Sequence, residues 1–185
     1  MKKVKKNTMT REKKLMEELK IDNVHAVPVI KTVAVNCGVG KQRDDKVFIE
    51  AVKNDLARIT GQKPQERKAR KAVAGFNVRQ GNLVGLRVTL RGQRMRDFIE
   101  KFVNVTLPRV RDFRGVLLKS FDRNGNLNIG LPEQLAFPEI NAEKTDVIFG
   151  VQVTFVTTAK NQDQALALFK SHGFVFRDDS ADDLT

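Results

Sequence analysis

One run of strict alternation constrains the fold of this chain more than any other feature. Over residues 84–91, large aliphatic side chains alternate with glycine, threonine and arginine. The aliphatic positions are Val84, Leu86, Val88 and Leu90, and the alternate positions are Gly85, Arg87, Thr89 and Arg91. A period of two is that of a β-strand, so one face is buried and the other faces water or a partner. We predict a hairpin over residues 76–91 that turns at Gln80-Gly81-Asn82, with this strand as its second arm.

Two segments have the spacing of amphipathic helices instead. The first carries an apolar stripe at Phe48, Val52, Leu56 and Ile59. Asp44 and Asp45 suit the positive N-terminal end of that helix, and Gly61 suits its C-terminal cap. The second carries Met95, Phe98, Ile99, Phe102 and Val103 on one side. We expect this helix to stop before Pro108, because proline has no amide hydrogen and its ring clashes with the preceding turn.

Strand-like and helix-like segments are interspersed along the rest of the chain. Residues 27–36 and 146–157 are predicted strands. A last helix is predicted to begin at Asn161, with Gln164 completing a capping box, and to end at Gly173. Half-buried strands among helices favour an α+β fold, in which a mostly antiparallel sheet has helices packed on one face.

The chain has 185 residues, which suits one domain with polar ends. We expect a basic arm or short helix over residues 1–20, a single domain over residues 21–177 and a disordered acidic tail over residues 178–185. Thr10 is the predicted cap of the short helix. No membrane helix or secretory signal is predicted. The single cysteine, Cys37, has no partner for a disulfide, which indicates a reducing compartment.

The charge balance points to nucleic acid. Lys and Arg number 34 against 22 Asp and Glu, which gives a net charge of +12 and a pI near 10.0. Such an excess is typical of proteins that bind nucleic acid. One basic segment contains Lys63, Arg67, Lys68, Arg70 and Lys71. A second, Leu107–Gly115, places Arg109, Arg111 and Arg114 around Phe113, so that guanidinium groups can bind phosphate while the ring packs or stacks.

The type of RNA recognition is limited by the aromatic residues. All of them are Phe, and most fall on predicted core positions. A platform for stacking the bases of single strands is therefore disfavoured. The pattern favours recognition of folded RNA through shape, phosphate and 2′-hydroxyl contacts. Arg87, Thr89 and Arg91 project from the open side of their strand and are predicted to make such contacts.

Catalysis, metal binding and a cofactor are not predicted. His25 and His172 fall near a loop and a helix end, and no cluster of metal ligands is present in the sequence. The run Gly38-Val39-Gly40-Lys41 faintly matches a phosphate-binding loop. A true loop of that type spaces its glycines more widely and places Ser or Thr after the lysine, whereas Gln42 follows here. A turn between a strand and a helix is the better interpretation.

Five motifs, in order and at family spacing, resemble the L-five family of large-subunit ribosomal proteins, which binds 5S rRNA. They are Val35-Asn36-Cys37-Gly38-Val39-Gly40, Ala69-Arg70-Lys71-Ala72-Val73-Ala74, Arg87-Val88-Thr89-Leu90-Arg91-Gly92, Leu107-Pro108-Arg109-Val110-Arg111-Asp112-Phe113-Arg114-Gly115 and Phe137-Pro138-Glu139-Ile140. The resemblance implies a curved antiparallel sheet with helices on its convex side. It also implies a place in the central protuberance of a bacterial-type cytoplasmic ribosome, although an organellar origin stays open.

The resemblance also implies partners: 5S rRNA, 23S rRNA, P-site tRNA, a small-subunit head protein and neighbouring central-protuberance proteins. Residues assigned to 5S rRNA are Lys31, Asn36, Gln62, Arg87, Thr89 and Arg91. The two basic segments are assigned to other rRNA, and the loop of Arg79, Gln80, Gly81 and Asn82 to tRNA. The chain departs from the family in having Leu83 after that loop and Arg123 after Phe-Asp, where Pro and Gly are usual.

Two alternatives stay open from the sequence. A general RNA chaperone would use the same basic face without preferring 5S rRNA. A phosphate-binding enzyme at Gly38–Lys41 is the more distant alternative.

Overall fold

A computed structural model describes residues 11, 13–141, 145 and 147–177. The predicted cap Thr10, most of the basic arm and the acidic tail lie outside these residues. The short helix expected in the arm is present as α1 over residues 13–19, and its Leu15 is buried.

The other elements follow in an interspersed order, as expected for an α+β fold. The strands are β1 (Ile30–Gly38), β2 (Gln65–Lys68), β3 (Leu83–Leu90), β4 (Val116–Leu117), β5 (Leu127–Leu131), β6 (Val151–Thr157) and β7 (Phe176–Arg177). The helices are α2 (Lys46–Thr60), α3 (Gly92–Lys101), α4 (Leu107–Arg109) and α5 (Gln162–Ser171). Five strands form one sheet in the order β2-β3-β1-β6-β5, and β4 pairs in parallel with β7.

The alternation over residues 84–91 is reflected in the pairing of β3 with β1. The two strands are antiparallel, and Val33, Val35 and Cys37 lie opposite Leu90, Val88 and Leu86. All six of these side chains are buried. The intervening pairs, including Asn36 opposite Arg87, therefore point to the other side of the sheet. The predicted half-buried strand is confirmed.

The described chain divides into two compact units, each built from separated stretches of sequence. The first unit includes residues up to 31, 114–128 and 155–177. Its core is aromatic: the ring of Phe169 lies 5.7 Å from Phe121, 5.8 Å from Phe155 and 5.1 Å from Phe174. Edge-to-face and tilted arrangements of this kind stabilise a core beyond the area that they bury.

The second unit contains residues 32–113 and 129–154. Helix α2 begins at the cap Asp45, whose carboxylate accepts hydrogen bonds from the amides of Val47 and Phe48. It ends at Gly61, whose φ of 63° is the left-handed conformation that glycine adopts without strain. Both predicted ends are thus confirmed, and the helix contacts β3.

A second core contact in this unit joins α3 to the Phe137-Pro138-Glu139-Ile140 motif. Phe137 is fully buried, with ring centroids 6.3 Å from Phe98 and 6.2 Å from Phe102. Beside it, the ammonium of Lys101 donates to the carboxylate of Glu139 and, over 2.7 Å, to the carbonyl of Ile59. The motif therefore has a packing role, since it connects the end of α2 to α3.

The predicted first arm of the hairpin is wrong. The strand that pairs with β3 is β2, with Gln65 opposite Arg87 and Arg67 opposite Gly85. All four residues of β2 are exposed, so its sequence carries no apolar alternation to reveal it. Residues 69–82 form an excursion between the two strands, closed at its base where the amide of Ala69 donates to the carbonyl of Asn82.

The predicted helix stop before Pro108 is also wrong. After α3 the chain makes a π-helical turn over Phe102–Thr106 and continues into α4, where Pro108 lies in the first turn. In the π turn the amide of Leu107 donates to the carbonyl of Phe102, five residues back. The wider turn tolerates a residue without an amide hydrogen, so the helical path continues through Pro108. It ends at Arg109.

The strand predicted from residue 146 begins only at Val151, because a buried glutamine uses the backbone before it. The side-chain amide of Gln134 donates to the carbonyl of Val147 over 2.5 Å and accepts from the amide of Phe149 over 2.9 Å. The backbone amide of Gln134 donates to the carbonyl of Phe149 as well. Three hydrogen bonds to one residue replace the sheet pairing that alternation alone predicted.

Replacing Gln134 with Met tests this arrangement. Methionine has a similar length but leaves the carbonyl of Val147 and the amide of Phe149 without partners, at a cost of about 2 kcal/mol in the free energy of unfolding. Chemical denaturation measures the loss, and hydrogen exchange should become faster at the amide of Phe149. The conservative variant Gln134→Glu keeps an acceptor for that amide and should lose less protection there. Unchanged exchange in the methionine variant would contradict this role.

Candidate nucleic-acid interface

The polar side of β1, β2 and β3 is the surface that best fits the sequence prediction. We call it the open face and define it by the side chains that point away from the buried side of these three strands. It consists of Thr32, Ala34, Asn36 and Gly38 of β1, Gln65 and Arg67 of β2, and Gly85, Arg87 and Thr89 of β3. Every one of these residues belongs to the second unit.

Two cross-strand rows organise the open face. In the first row, Arg87 lies between Gln65 and Asn36, so a guanidinium is flanked by two amides. In the second row, Gly85 lies between Arg67 and Gly38. Side chains in adjacent rows of a sheet are within reach of one another. The polar side chains of the first row and Arg67 therefore border a flat area, the glycine floor, formed by Gly85 and Gly38.

The glycines of this floor permit a close approach by a ligand. A Cβ built on Gly85 would lie 3.1 Å from the carbonyl oxygen of Cys37, whereas one built on Gly38 would meet nothing within 4 Å. A side chain at Gly85 would therefore press on the backbone of β1, so the close packing of the two strands favours glycine there. No such contact restricts Gly38, and the space above it is open to a partner.

The open face is positive because Glu66, the one acidic residue within β1, β2 and β3, points away from it. Glu66 has the opposite orientation in β2 and accepts a hydrogen bond of 2.6 Å from Lys53 of α2. That hydrogen bond is the main cause that holds the pKa of the Glu66 carboxyl below its usual value. No residue of the open face as defined above is acidic. Such a surface suits a polyanion, which meets guanidinium and amide donors without a repelling carboxylate.

The three remaining residues predicted to contact 5S rRNA occupy other positions. Gln62 is half-buried just after the cap of α2, and its backbone amide donates weakly to the hydroxyl of Thr60. Arg91 is exposed and still extended, with φ of −142°, so it continues the alternation of Arg87. Lys31 is exposed in β1, but alternation places it on the side of Val33 rather than that of Asn36. Arg91 therefore lies on the same side as the open face, just beyond the end of β3, whereas Lys31 lies on the opposite side.

The basic residues of the first segment are all exposed. Lys63 precedes β2, Arg67 belongs to the open face, and Lys68 follows the point where the register of β2 shifts. Arg70 and Lys71 begin the excursion. In the second segment Arg109 is the last residue of α4. Its three arginines, Arg109, Arg111 and Arg114, are exposed. Phe113 is half-buried, so part of its ring packs against the protein. The assignment of both segments to rRNA stays a prediction.

The loop assigned to tRNA is not the tip of the excursion. Gly81 donates its amide to the carbonyl of Ala69, so residues 79–82 lie at the base. The tip is a turn closed by hydrogen bonds between Val73 and Val78, and its Phe76 is 78% exposed. Sequence reasoning missed this phenylalanine. The sequence gives only a weak indication of its exposure: Gly75 and Asn77 flank Phe76, which therefore belongs to no apolar stripe.

The interpretation of Gly38–Lys41 as a phosphate-binding loop is not supported by the structure. Gly38 ends β1, and a 3-10 turn over Gly40–Gln42 follows. The N-terminus of α2 is already occupied, because Asp45 accepts its first amides. The predicted strand-to-helix turn is therefore confirmed.

The other reactive side chains are poorly suited to chemistry at neutral pH. Burial raises the pKa of the Cys37 thiol to about 11, so it stays protonated. Burial, with a smaller effect of Arg11, lowers the pKa of His172 to about 4, so its imidazole is neutral. Within the described ranges, three or more potential metal-ligating side chains do not come together. Likewise, no described helix combines the length and apolar character needed to cross a membrane.

Comparisons with known proteins agree with the resemblance found in the sequence. Residues 23–79 match the family model described as Ribosomal protein L5, and residues 83–176 match the model for the C-terminus of the same ribosomal protein family. The chain is 48% identical over 163 residues to the large ribosomal subunit protein uL5 of Halothermothrix orenii, covering 88% of this chain and 91% of that one. It is 47% identical over 164 residues to the uL5 protein of Francisella tularensis subsp. novicida, covering 89% and 92%.

Proposed function

The chain belongs to the ribosomal protein L5 family, as a structural constituent of the large ribosomal subunit and not an enzyme, and from this we propose that it binds 5S rRNA through the open face. As a bacterial-type member it is located in cytoplasmic ribosomes, and rRNA is its partner. One observation carries the proposal: the row Gln65, Arg87 and Asn36 beside a glycine floor, without an acidic side chain.

The chemistry of this row suits a folded RNA. Arg87 supplies donors for a phosphate, while the amides of Gln65 and Asn36 supply donors and acceptors for a base edge or a 2′-hydroxyl. The floor at Gly38 lets the sugar-phosphate backbone lie close to the sheet. Thr89 and Arg91 extend the same side along β3 and its continuation.

Further contacts with RNA and protein complete the proposal. We infer that the exposed basic segments contact 23S rRNA, so that the protein helps to attach 5S rRNA in the central protuberance. Neighbouring proteins of that region and a protein of the small-subunit head are the proposed protein partners. The support for these partners is the family resemblance together with the exposure of the basic residues.

A competition experiment separates this function from the chaperone alternative. Labelled 5S rRNA is bound to the full chain on filters at moderate salt, and unlabelled 5S rRNA, tRNA or fragments of 23S rRNA are added. If the protein is specific for 5S rRNA, unlabelled 5S rRNA displaces the labelled 5S rRNA at a much lower concentration than tRNA or fragments of 23S rRNA do. Equal competition by all RNAs would favour a general chaperone and overturn the proposal.

Gly38→Ala tests the close approach of RNA to the open face. The added methyl group meets nothing within 4 Å, so Tm should not fall. It stands between the sheet and the RNA, and we expect about a tenfold loss of 5S affinity in filter binding, equivalent to about 1.4 kcal/mol. Gly75→Ala is the matched control, because its Cβ also meets nothing and lies on the excursion. Wild-type affinity in Gly38→Ala would place the footprint elsewhere.

The excursion is the proposed contact with P-site tRNA. Arg79 would bind phosphate, and Gln80 or Asn82 would bind sugar or base edges. Replacing residues 79–82 with Gly-Ser-Gly-Ser is expected to speed dissociation of P-site tRNA from assembled ribosomes about threefold, the effect of one weak contact. Affinity for 5S rRNA should be unchanged. Unaltered tRNA dissociation would contradict the contact, and a large loss of 5S affinity would assign the segment to 5S rRNA.

A further inference from the structure

An open cleft of about 580 Å³ lies behind the excursion, on the side of the turn that follows β1. One wall is the turn at Arg43 and Asp44, and the other is the inner surface of residues 72–82. Its volume lies in the range of sites for small ligands. The open-face residues Asn36, Arg67 and Arg87 are not among those that line it.

The wall formed by the excursion is held by its own backbone. The amide of Val73 donates to the carbonyl of Val78 over 2.8 Å, and that of Val78 donates back over 3.1 Å. At the base, Ala69 exchanges hydrogen bonds with Gly81 and Asn82. Two separate points of closure fix the wall before any ligand arrives, which lowers the entropic cost of binding.

Polar groups without partners line this fixed wall. In the part of the chain that the structure describes, the amides of Asn77 and Asn82 and the guanidinium of Arg79 make no side-chain hydrogen bond or ion pair. Asn77 has a φ of 51°, a left-handed conformation that asparagine tolerates and that fixes where its side chain starts. The hydrogen-bond donors and acceptors of Asn77, Arg79 and Asn82 therefore lie along the same wall of the cleft.

The opposite wall supplies a largely buried cation. The Arg43 side chain is only 20% exposed, and its one ion pair among the described residues is to the neighbouring Asp44, over 3.7 Å. The Asp44 carboxylate is 95% exposed, so water screens it. An anionic ligand in the cleft would therefore meet Arg43 and Arg79 from two sides.

We propose that this cleft is a subsite for a single unpaired nucleotide of an RNA strand. The two guanidinium groups bind its phosphate, the amides of Asn77 and Asn82 bind the edge of its base, and the aliphatic Val73 and Val78 contact its plane. A base pair would leave those amides unsatisfied, because its Watson–Crick edges are already used. The subsite shares Arg79 and Asn82 with the tRNA contact proposed above, on which it rests, and adds to that contact a position that selects unpaired residues.

Nuclear magnetic resonance on the full chain tests the subsite directly. The side-chain amides of Asn77 and Asn82 are followed while a single-stranded RNA octamer is added. A matched octamer with one central abasic residue keeps the phosphates and removes the base. We expect the intact octamer to shift both amides, and the abasic one to shift them less and to bind about fivefold more weakly, as for the loss of a hydrogen bond.

A variant and a second probe complete the test. Asn77→Gly keeps the left-handed backbone and removes only the amide, and we expect it to lower octamer affinity about fivefold with Tm little changed. If the side-chain amide signals of Asn77 and Asn82 do not shift at saturating RNA, or if Asn77→Gly binds the octamer with wild-type affinity, the subsite is wrong. Neither result would affect the proposed binding of 5S rRNA by the open face. Adenosine monophosphate that binds as tightly as the octamer would overturn the assignment to RNA and indicate a site for free nucleotides.

Discussion

Arg87→Ala is expected to weaken the binding of 5S rRNA by an order of magnitude or more. Arg87 lies at the centre of the row that carries the proposed function, between Gln65 and Asn36. A hydrogen bond to a charged group is worth about 1.5–3 kcal/mol, which corresponds to roughly 10–150-fold in affinity. The salt dependence of binding should also flatten by a little under one unit, since one phosphate contact is lost.

Filter binding across a series of salt concentrations measures both quantities. Arg87 is exposed, so its removal should leave Tm close to that of the wild type. Arg96→Ala is the matched control, because Arg96 is an exposed arginine of α3 that is not part of the open face. Equal losses in the two variants would mean that only total charge matters, and the open face would then not be the footprint.

Phe137→Ala is expected to have the largest effect on stability. The side chain is fully buried between the rings of Phe98 and Phe102, so its loss leaves a cavity that α3 cannot fill without moving. Substitutions of this kind cost about 3–5 kcal/mol in the free energy of unfolding. For a chain of this length that corresponds to a fall in Tm of roughly 10 °C.

Calorimetry measures this effect, and the excursion offers a matched control. Phe76→Ala removes the same group from a position that is 78% exposed and should leave Tm unchanged. A small effect of Phe137→Ala would mean that Lys101 and Glu139, and not the aromatic contact, hold this part of the unit together. Replacing Lys101 with Met would then give the larger fall in Tm.

The parts of the fold that could be predicted from sequence are those with a buried face. The alternation of β3 and the stripe of α2 report burial directly, and both elements are where the pattern placed them. The edge strand β2 carries no such pattern, because all its side chains are exposed. Residues 147–150 alternate like a strand, yet the side chain of Gln134, which is distant in sequence, competes for their backbone.

The candidate site was predictable to a similar extent. Arg87 and Thr89 follow from the alternation of one strand, but their neighbours depend on register. The pairing of Asn36 and Gln65 with Arg87 depends on the register between three strands, which the periodicity of a single strand does not show. The cleft at Arg43 and Arg79 was not predictable, because its walls come from segments separated by two secondary-structure elements.

The division of the chain into interleaved units has a consequence for its synthesis. Glu139, which closes the contact with Lys101, is translated 38 residues after it. At roughly 5–20 residues per second, several seconds pass before this partner and Phe137 leave the ribosome. Throughout that interval Phe98 and Phe102 lack the ring that covers them, in a nascent chain that is already strongly basic. We expect slow codons between positions 102 and 137 to lengthen this exposure and to lower the fraction of the protein that reaches its RNA correctly folded.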